Sequence, residues 1–217
     1  MILITGIPRS RTSLTAAMLE ACGADFGDPK HFKEPNRYNP LGYYEHRKVI
    51  GRLQNPYFEK IGFAPLDRVN MPSKKDIVFE PGWESRLKAI FGDLKSITAI
   101  KEPKLCLYWE QWANTFPDSR WIVVKRATSE IFESISKRTP WMRNSLEDAG
   151  WHYYIHHHLR RIEELKAGVR HWFEIDTGEV VSGDFIKIQQ CAEWCGLTWN
   201  HEATNLVNPA YTFRESV

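Results

Sequence analysis

The chain has 217 residues, against about 150 for a typical domain, which favours one elaborated domain spanning 1–217 over two. Hydrophobic residues make up 42% and charged residues 26%, a balance that excludes collagen, coiled-coil, disordered and membrane-spanning chains and leaves a globular protein. Lys plus Arg at 29 against Asp plus Glu at 27 give a net charge of +2, so no net field attracts nucleic acid or a membrane surface, and any bound anion must be held by local groups.

Residues 1–5 form an apolar, β-branched run that predicts a first strand. The run is too short for a signal sequence or a membrane span, so the expected location is the cytoplasm. Residues 12–22 place Leu14, Ala17, Met18 and Ala21 on one helical face and stop at Gly23, which predicts a helix directly behind that strand. Residues 24–45, rich in Pro, Asn, Gly and aromatics, show no period. A long loop inside a compact domain is usually a functional one.

Further apolar runs at 96–100 and 120–125 predict buried strands. Between and after them lie helical-period segments. Residues 104–116 carry Leu105, Tyr108, Trp109, Trp112 and Phe116 on one stripe; a helix from Thr128 turns Ile131, Phe132 and Ile135 inward. A long helix opens with the capping-box pattern Ser145-Leu-Glu-Asp148 and buries Trp151, Ile155, Leu159 and Ile162 before Gly168; the last runs over 184–195. Apolar strands alternating with helices predict an α/β fold of three layers, α/β/α, around a central parallel sheet.

The four cysteines, Cys22, Cys106, Cys191 and Cys195, are scattered and form no CxxC pair, which reads as free thiols in a reducing compartment. Cys191 and Cys195 share a helical face but have no second pair of ligands at matching spacing, and are read as core. His152, His156, His157 and His158 likewise lack a third ligand and are read as a solvated or acceptor-facing helix surface, so no metal is expected.

The strand, then Gly6-Ile-Pro-Arg-Ser-Arg-Thr-Ser13, then an amphipathic helix, is the layout in which backbone N–H groups and a helix dipole converge on an anion, as in the P-loop nucleoside triphosphatases. Against the pattern GxxxxGK[ST], Gly6 and Ser13 match, while Arg11 replaces the second glycine and Thr12 the lysine. The strand ending at Val124 runs into Lys125-Arg126, where a triphosphatase often keeps an aspartate for Mg²⁺. Cations and amides thus take over the work of lysine and metal.

These residues resemble the sulfotransferases that use 3′-phosphoadenosine 5′-phosphosulfate (PAPS), whose 5′-phosphosulfate loop reads Pro-[Lys/Arg]-Ser-Gly-Thr-[Thr/Ser]. Pro8, Arg9, Ser10, Thr12 and Ser13 agree with that loop, and Arg11 stands at the usual glycine. Arg126 and Ser134, eight residues apart, match the family's 3′-phosphate pair. Asn39-Pro-Leu-Gly-Tyr-Tyr-Glu45 and Ile100-Lys-Glu-Pro-Lys-Leu105 are similar to segments of bacterial and carbohydrate-directed members, and residues 172–176 to the closing strand.

The resemblance implies transfer of a sulfonate from PAPS to a hydroxyl or amine of a small-molecule or carbohydrate acceptor, in line and without a metal. Arg9 then offsets charge on the leaving phosphate; loop amides and the hydroxyls of Ser10, Thr12 and Ser13 hold the 5′-phosphosulfate; Lys101 and Lys104 steady the sulfonate. The histidine base of the cytosolic branch is replaced by Glu102-Pro103, so Glu45 is the expected base, with Glu34 and Glu102 behind it. Tyr38, Tyr44 and Trp141 are the expected acceptor-pocket aromatics. Two other readings compete: a small P-loop kinase acting on a nucleotide or metabolite, and a nucleotide-binding module without catalysis.

Overall fold

A computed structural model describes residues 1–36, 39, 41–138 and 146–207, with side chains over the same residues except 136–138. Four strands, β1 (Ile2–Gly6), β2 (Ala99–Lys101), β3 (Arg120–Lys125) and β4 (Trp172–Asp176), pair in parallel in the spatial order β2-β1-β3-β4. The second strand starts later than its apolar run predicts. Residues just before it are claimed by a different partner, since Asp25 N–H donates to the Ile97 carbonyl at 3.0 Å and Ala99 N–H to the Asp25 carbonyl at 2.7 Å.

Alternation along the strands sets the layers, because successive side chains point to opposite faces. Leu3, Ile100, Trp121 and Val123 enter one core; Ile2, Ile4, Ala99, Ile122, Val124 and Ile175 enter the other. The expected three-layer α/β/α arrangement is what forms. The second core is closed by α1 (Thr12–Ala21), α7 (Thr177–Val181) and α8 (Ile186–Trp194), and holds the buried free thiols of Cys22, Cys191 and Cys195. Helix α8 begins two residues later than its pattern predicts because the Asp184 carboxylate accepts the Ile186 N–H at 3.0 Å, drawing 184–186 into a turn.

The first core is larger and aromatic. It receives α2, a helical run made of Arg47–Val49, the π turn Ile50–Gln54 and Asn55–Lys60, and then α3 (Trp83–Phe91), α4 (Trp109–Thr115), α5 (Thr128–Arg138) and α6 (Asp148–Gly168). Trp83 meets Tyr57, Tyr108 and Trp112 in edge-on contacts at 5.5, 5.8 and 5.0 Å. Each such pair contributes about 0.5–1.5 kcal/mol beyond the area it buries.

The stripe over 104–116 is helical only in its second half, since Pro103–Tyr108 winds as a 3₁₀ helix. The Thr5 hydroxyl explains the tighter winding: it donates to the Pro103 carbonyl at 2.8 Å and accepts the Cys106 N–H at 3.1 Å, taking backbone groups that a regular α-helix would pair. Among the described residues no helix is long and apolar enough to cross a membrane.

Candidate functional site

The order of the strands reverses at β1, whose neighbours β2 and β3 follow it in the chain on opposite sides, and ligands of open parallel sheets bind beyond the carboxyl ends of strands at such a reversal. Gly6 pairs with Val124 across that point, so the loop after β1 and the residues after β3 leave the sheet side by side. A Cβ at Gly6 would lie 2.5 Å from the Val124 carbonyl oxygen and 2.8 Å from Ser10 Oγ. No other residue lets the two chains close this tightly.

Arg9 and Arg11 both adopt left-handed backbone, at φ 78 and φ 66. Such a conformation costs a residue with a side chain about 1–2 kcal/mol. Arg11 therefore takes on the geometry that glycine usually serves, as the residue capping α1 with no side-chain cap bond. Helix α1 carries no acidic residue in its first turn, so its N–H groups and dipole are not answered by a local carboxylate. Ser10, Thr12 and Ser13 are buried at the loop, and Ser10 Oγ is shielded from water without a hydrogen-bond partner among the described residues. Pro8 is half-buried at the loop's entry. An anion seated here would satisfy donors that the protein leaves over, which is the fit expected for a phosphosulfate.

The second segment expected to bind an anion is in direct contact with the first. Arg126 Nη1 donates to the Arg9 carbonyl at 2.8 Å, and Arg9 Nε donates to Ser134 Oγ at 3.1 Å. Ser134 is itself buried, on α5 beside Ile131 and Ile135. Glu130, one turn into α5, accepts from Arg126 Nε at 2.8 Å and pairs with Arg11 Nη2 at 3.1 Å. Arg126, with Arg11 beside it, holds the Glu130 carboxyl below the usual carboxylate range. The Thr177 hydroxyl touches both strand-end loops, 3.2 Å from the Ser10 carbonyl and 3.0 Å from the Lys125 carbonyl.

A carboxylate group adjoins this cradle. Lys101, at the end of β2 and only 2% exposed, forms an ion pair with Glu45 and donates to the Tyr43 carbonyl at 2.5 Å. That same carbonyl accepts from Ser13 Oγ at 3.3 Å, and Asn39 Nδ2 donates to Ser13 Oγ at 2.9 Å. The long loop thus hands Glu45 to the start of α1. Glu102, buried next to Lys101, accepts the Lys104 N–H at 3.1 Å. Burial, reinforced by the Glu45 charge, pushes its carboxyl from the ordinary 4.5 up to about 7. Lys104 turns to the Pro65 carbonyl, and burial draws its ammonium pKa down.

Among the expected bases, Glu34 is exposed and lines a cavity of about 220 Å³ with Glu20, Lys33, Tyr43 and Tyr44, apart from the Lys101 group. Tyr44 donates to Glu20 there at 2.5 Å, while Tyr38 and Trp141 lie outside the described residues. The histidine reading needs correction. His152 and His156 are exposed, but His157 and His158 are buried in the aromatic core, where His157 Nε2 donates to the Pro72 carbonyl at 2.9 Å and His158 Nδ1 to the Tyr154 carbonyl at 2.9 Å. Burial pushes the His158 imidazole down to about 3, so it packs as a neutral ring.

Sequence reasoning missed Glu130, Asn39 and the Tyr43 carbonyl. The four-residue spacing from Arg126 to Glu130 was visible as a helical ion pair, but nothing in the pattern pointed to Arg11 as its second partner.

The family model described as Sulfotransferase family matches residues 2–201. No curated protein sequence matches the chain. Among solved structures the chain is similar to the crystal structure of a sulfotransferase from Mycobacterium tuberculosis, with 15% identity and a TM-score of 0.49, covering 95% of this chain and 70% of that one. A family match over nearly the full described length means that this chain belongs to the sulfotransferase family.

Proposed function

We propose that the protein transfers the sulfonate of PAPS to a hydroxyl or amine of a small-molecule or carbohydrate acceptor. The observation that carries this reading is Arg9, whose guanidinium reaches Ser134 while its carbonyl receives Arg126. One residue thereby joins the loop suited to a 5′-phosphosulfate to the pair suited to a 3′-phosphate. Two anion sites in contact suit a single nucleotide with phosphates on both sides of its ribose.

In the transfer, an acceptor oxygen or nitrogen bonds to sulfur as the bond from sulfur to the bridging phosphate oxygen breaks. The electron pair leaves with adenosine 3′,5′-bisphosphate, and the acceptor proton goes to a carboxylate. Arg9 offsets the charge that grows on the leaving phosphate, with the α1 N-terminus behind it. Glu45 receives the proton, and Lys101, fixed by the Tyr43 carbonyl, aims that carboxylate and steadies the sulfonate. Glu102 is a second candidate base, favoured by a proton affinity near neutrality.

The test is to incubate the protein with PAPS and a metabolite extract and to search by mass spectrometry for products heavier by one sulfonate. Such products with PAPS, absent with Mg²⁺-ATP, support the reading. Phosphorylated products with Mg²⁺-ATP would favour the kinase, and nucleotide binding without any transfer the non-catalytic module.

A further inference from the structure

The cradle gathers Arg9, Arg11 and Arg126, and the Glu130 carboxylate faces two of them. Glu130 lies 2.8 Å from Arg126 Nε and 3.1 Å from Arg11 Nη2, while Lys125 is turned toward Glu174 and Asp176 at 3.8 and 3.9 Å. The two arginine side chains are 12% and 17% exposed, but Glu130 is 42% exposed. The cations are fixed in the wall, and the anion that answers them stands at its rim. An acid in the first turn of α5 is favoured by the helix dipole alone, but that role requires neither arginine.

We propose that Glu130 is an internal counter-anion of the donor site, occupying Arg126 and Arg11 until a nucleotide phosphate displaces it. The proposal rests on the donor reading above. A phosphate dianion carries more charge than a carboxylate and offers more acceptor oxygens to a guanidinium fork, so it wins the exchange. The grip on the nucleotide is then the difference between two ion pairs, and Glu130 lowers it. After transfer, the carboxylate is at hand to retake Arg126 as the bisphosphate product departs. That Arg126 and Arg11 hold Glu130 ionised is consistent with this exchange.

The alternative role, positioning Arg126 for the phosphate, predicts the opposite sign. Calorimetry on the wild type, Glu130→Gln and Glu130→Ala, with adenosine 3′,5′-bisphosphate and adenosine 5′-phosphate, separates the two. Both variants should bind the bisphosphate about fivefold more tightly at low salt, the size expected of removing the two partly exposed ion pairs of Glu130, with the gain shrinking as salt is raised. Release of the bisphosphate in stopped flow should slow by a similar factor. Unchanged or weaker binding in both variants overturns the counter-anion. Equal affinity of the wild type for the two nucleotides overturns the donor reading itself, and the proposal with it.

Discussion

The proposed donor side is lined by three arginines and the N-terminus of α1, with Glu130 pairing two of the cations. The proposed acceptor side has the reverse composition, with Glu45 and Glu102 gathered around Lys101. The donor groups stand on residues that directly follow β1 and β3, whereas Glu45 arrives on a loop and meets Lys101 across 56 residues of sequence. On the proposed reading, one wall holds charge that is already present and the other takes up a proton. The division matches the two demands of sulfonate transfer.

Substitutions that cross this division should separate binding from chemistry. Glu45→Gln is expected to lower kcat by about 10²–10⁴, the usual contribution of a general base, while donor affinity by calorimetry stays within twofold. Wild-type turnover in that variant together with a collapse in Glu102→Gln would move the proton acceptor one residue beyond β2. Arg9→Ala should lower kcat by about 10²–10³, as expected for a lost electrostatic stabiliser of the transition state. A change confined to the acceptor's KM would contradict its place on the donor wall. Arg126→Ala should weaken adenosine 3′,5′-bisphosphate by about 10–100-fold, as for a lost charge-assisted bond, and adenosine 5′-phosphate far less. Equal losses on the two nucleotides would remove the 3′-phosphate from Arg126.

The smallest effect concerns stability. Because folding raises the Glu102 carboxyl from 4.5 to about 7, the folded state favours its protonated form. Its contribution to stability is therefore complete below about pH 4.5 and is lost as the pH rises through 7. Glu102→Gln keeps the oxygen that accepts the Lys104 N–H and cannot ionise. Its melting temperature should fall less than that of the wild type between acidic and mildly alkaline buffers, and should exceed it on the alkaline side. Parallel melting curves across that range would mean that Glu102 is ionised in the fold.

The donor wall was the legible part of the chain. Its residues sit at fixed offsets from β1 and β3, and apolar runs announce those strands directly. Regular structure carries sequence spacing into space, so the family resemblance could pair Arg126 with Ser134 and place Arg9 in the loop after β1, but the contact of Arg9 with both of them was not legible. Other features depended on contacts between distant residues. The Thr5 hydroxyl decides that 103–108 winds as a 3₁₀ helix, and no local pattern announces it. The region 46–95 offered no assigned element, yet it supplies α2 and α3; there a π turn breaks the 3.6-residue period and Pro56 lies in the first turn of Asn55–Lys60. Four nearby histidines suggested a wet surface, but helical geometry sends only His152 and His156 outward and folds the other two into the core. Left-handed backbone at Arg11 is not a preference of arginine, and only the usual glycine of the similar loops at that position signalled it.

Thr177 has a consequence for how such a site can diversify. Its hydroxyl reaches the Ser10 carbonyl in the loop after β1 and the Lys125 carbonyl at the end of β3, so the two proposed phosphate-binding segments are riveted to each other and to the start of α7 before any nucleotide arrives. Such preorganisation spares the ordering entropy that binding would otherwise consume. The described residues of 24–45 make no bond to Thr177. On the proposed reading, new acceptors are accommodated by rewriting the parts of this stretch other than Asn39, Tyr43 and Glu45, whose bonds to Ser13 and Lys101 tie it to the donor loop and to the end of β2.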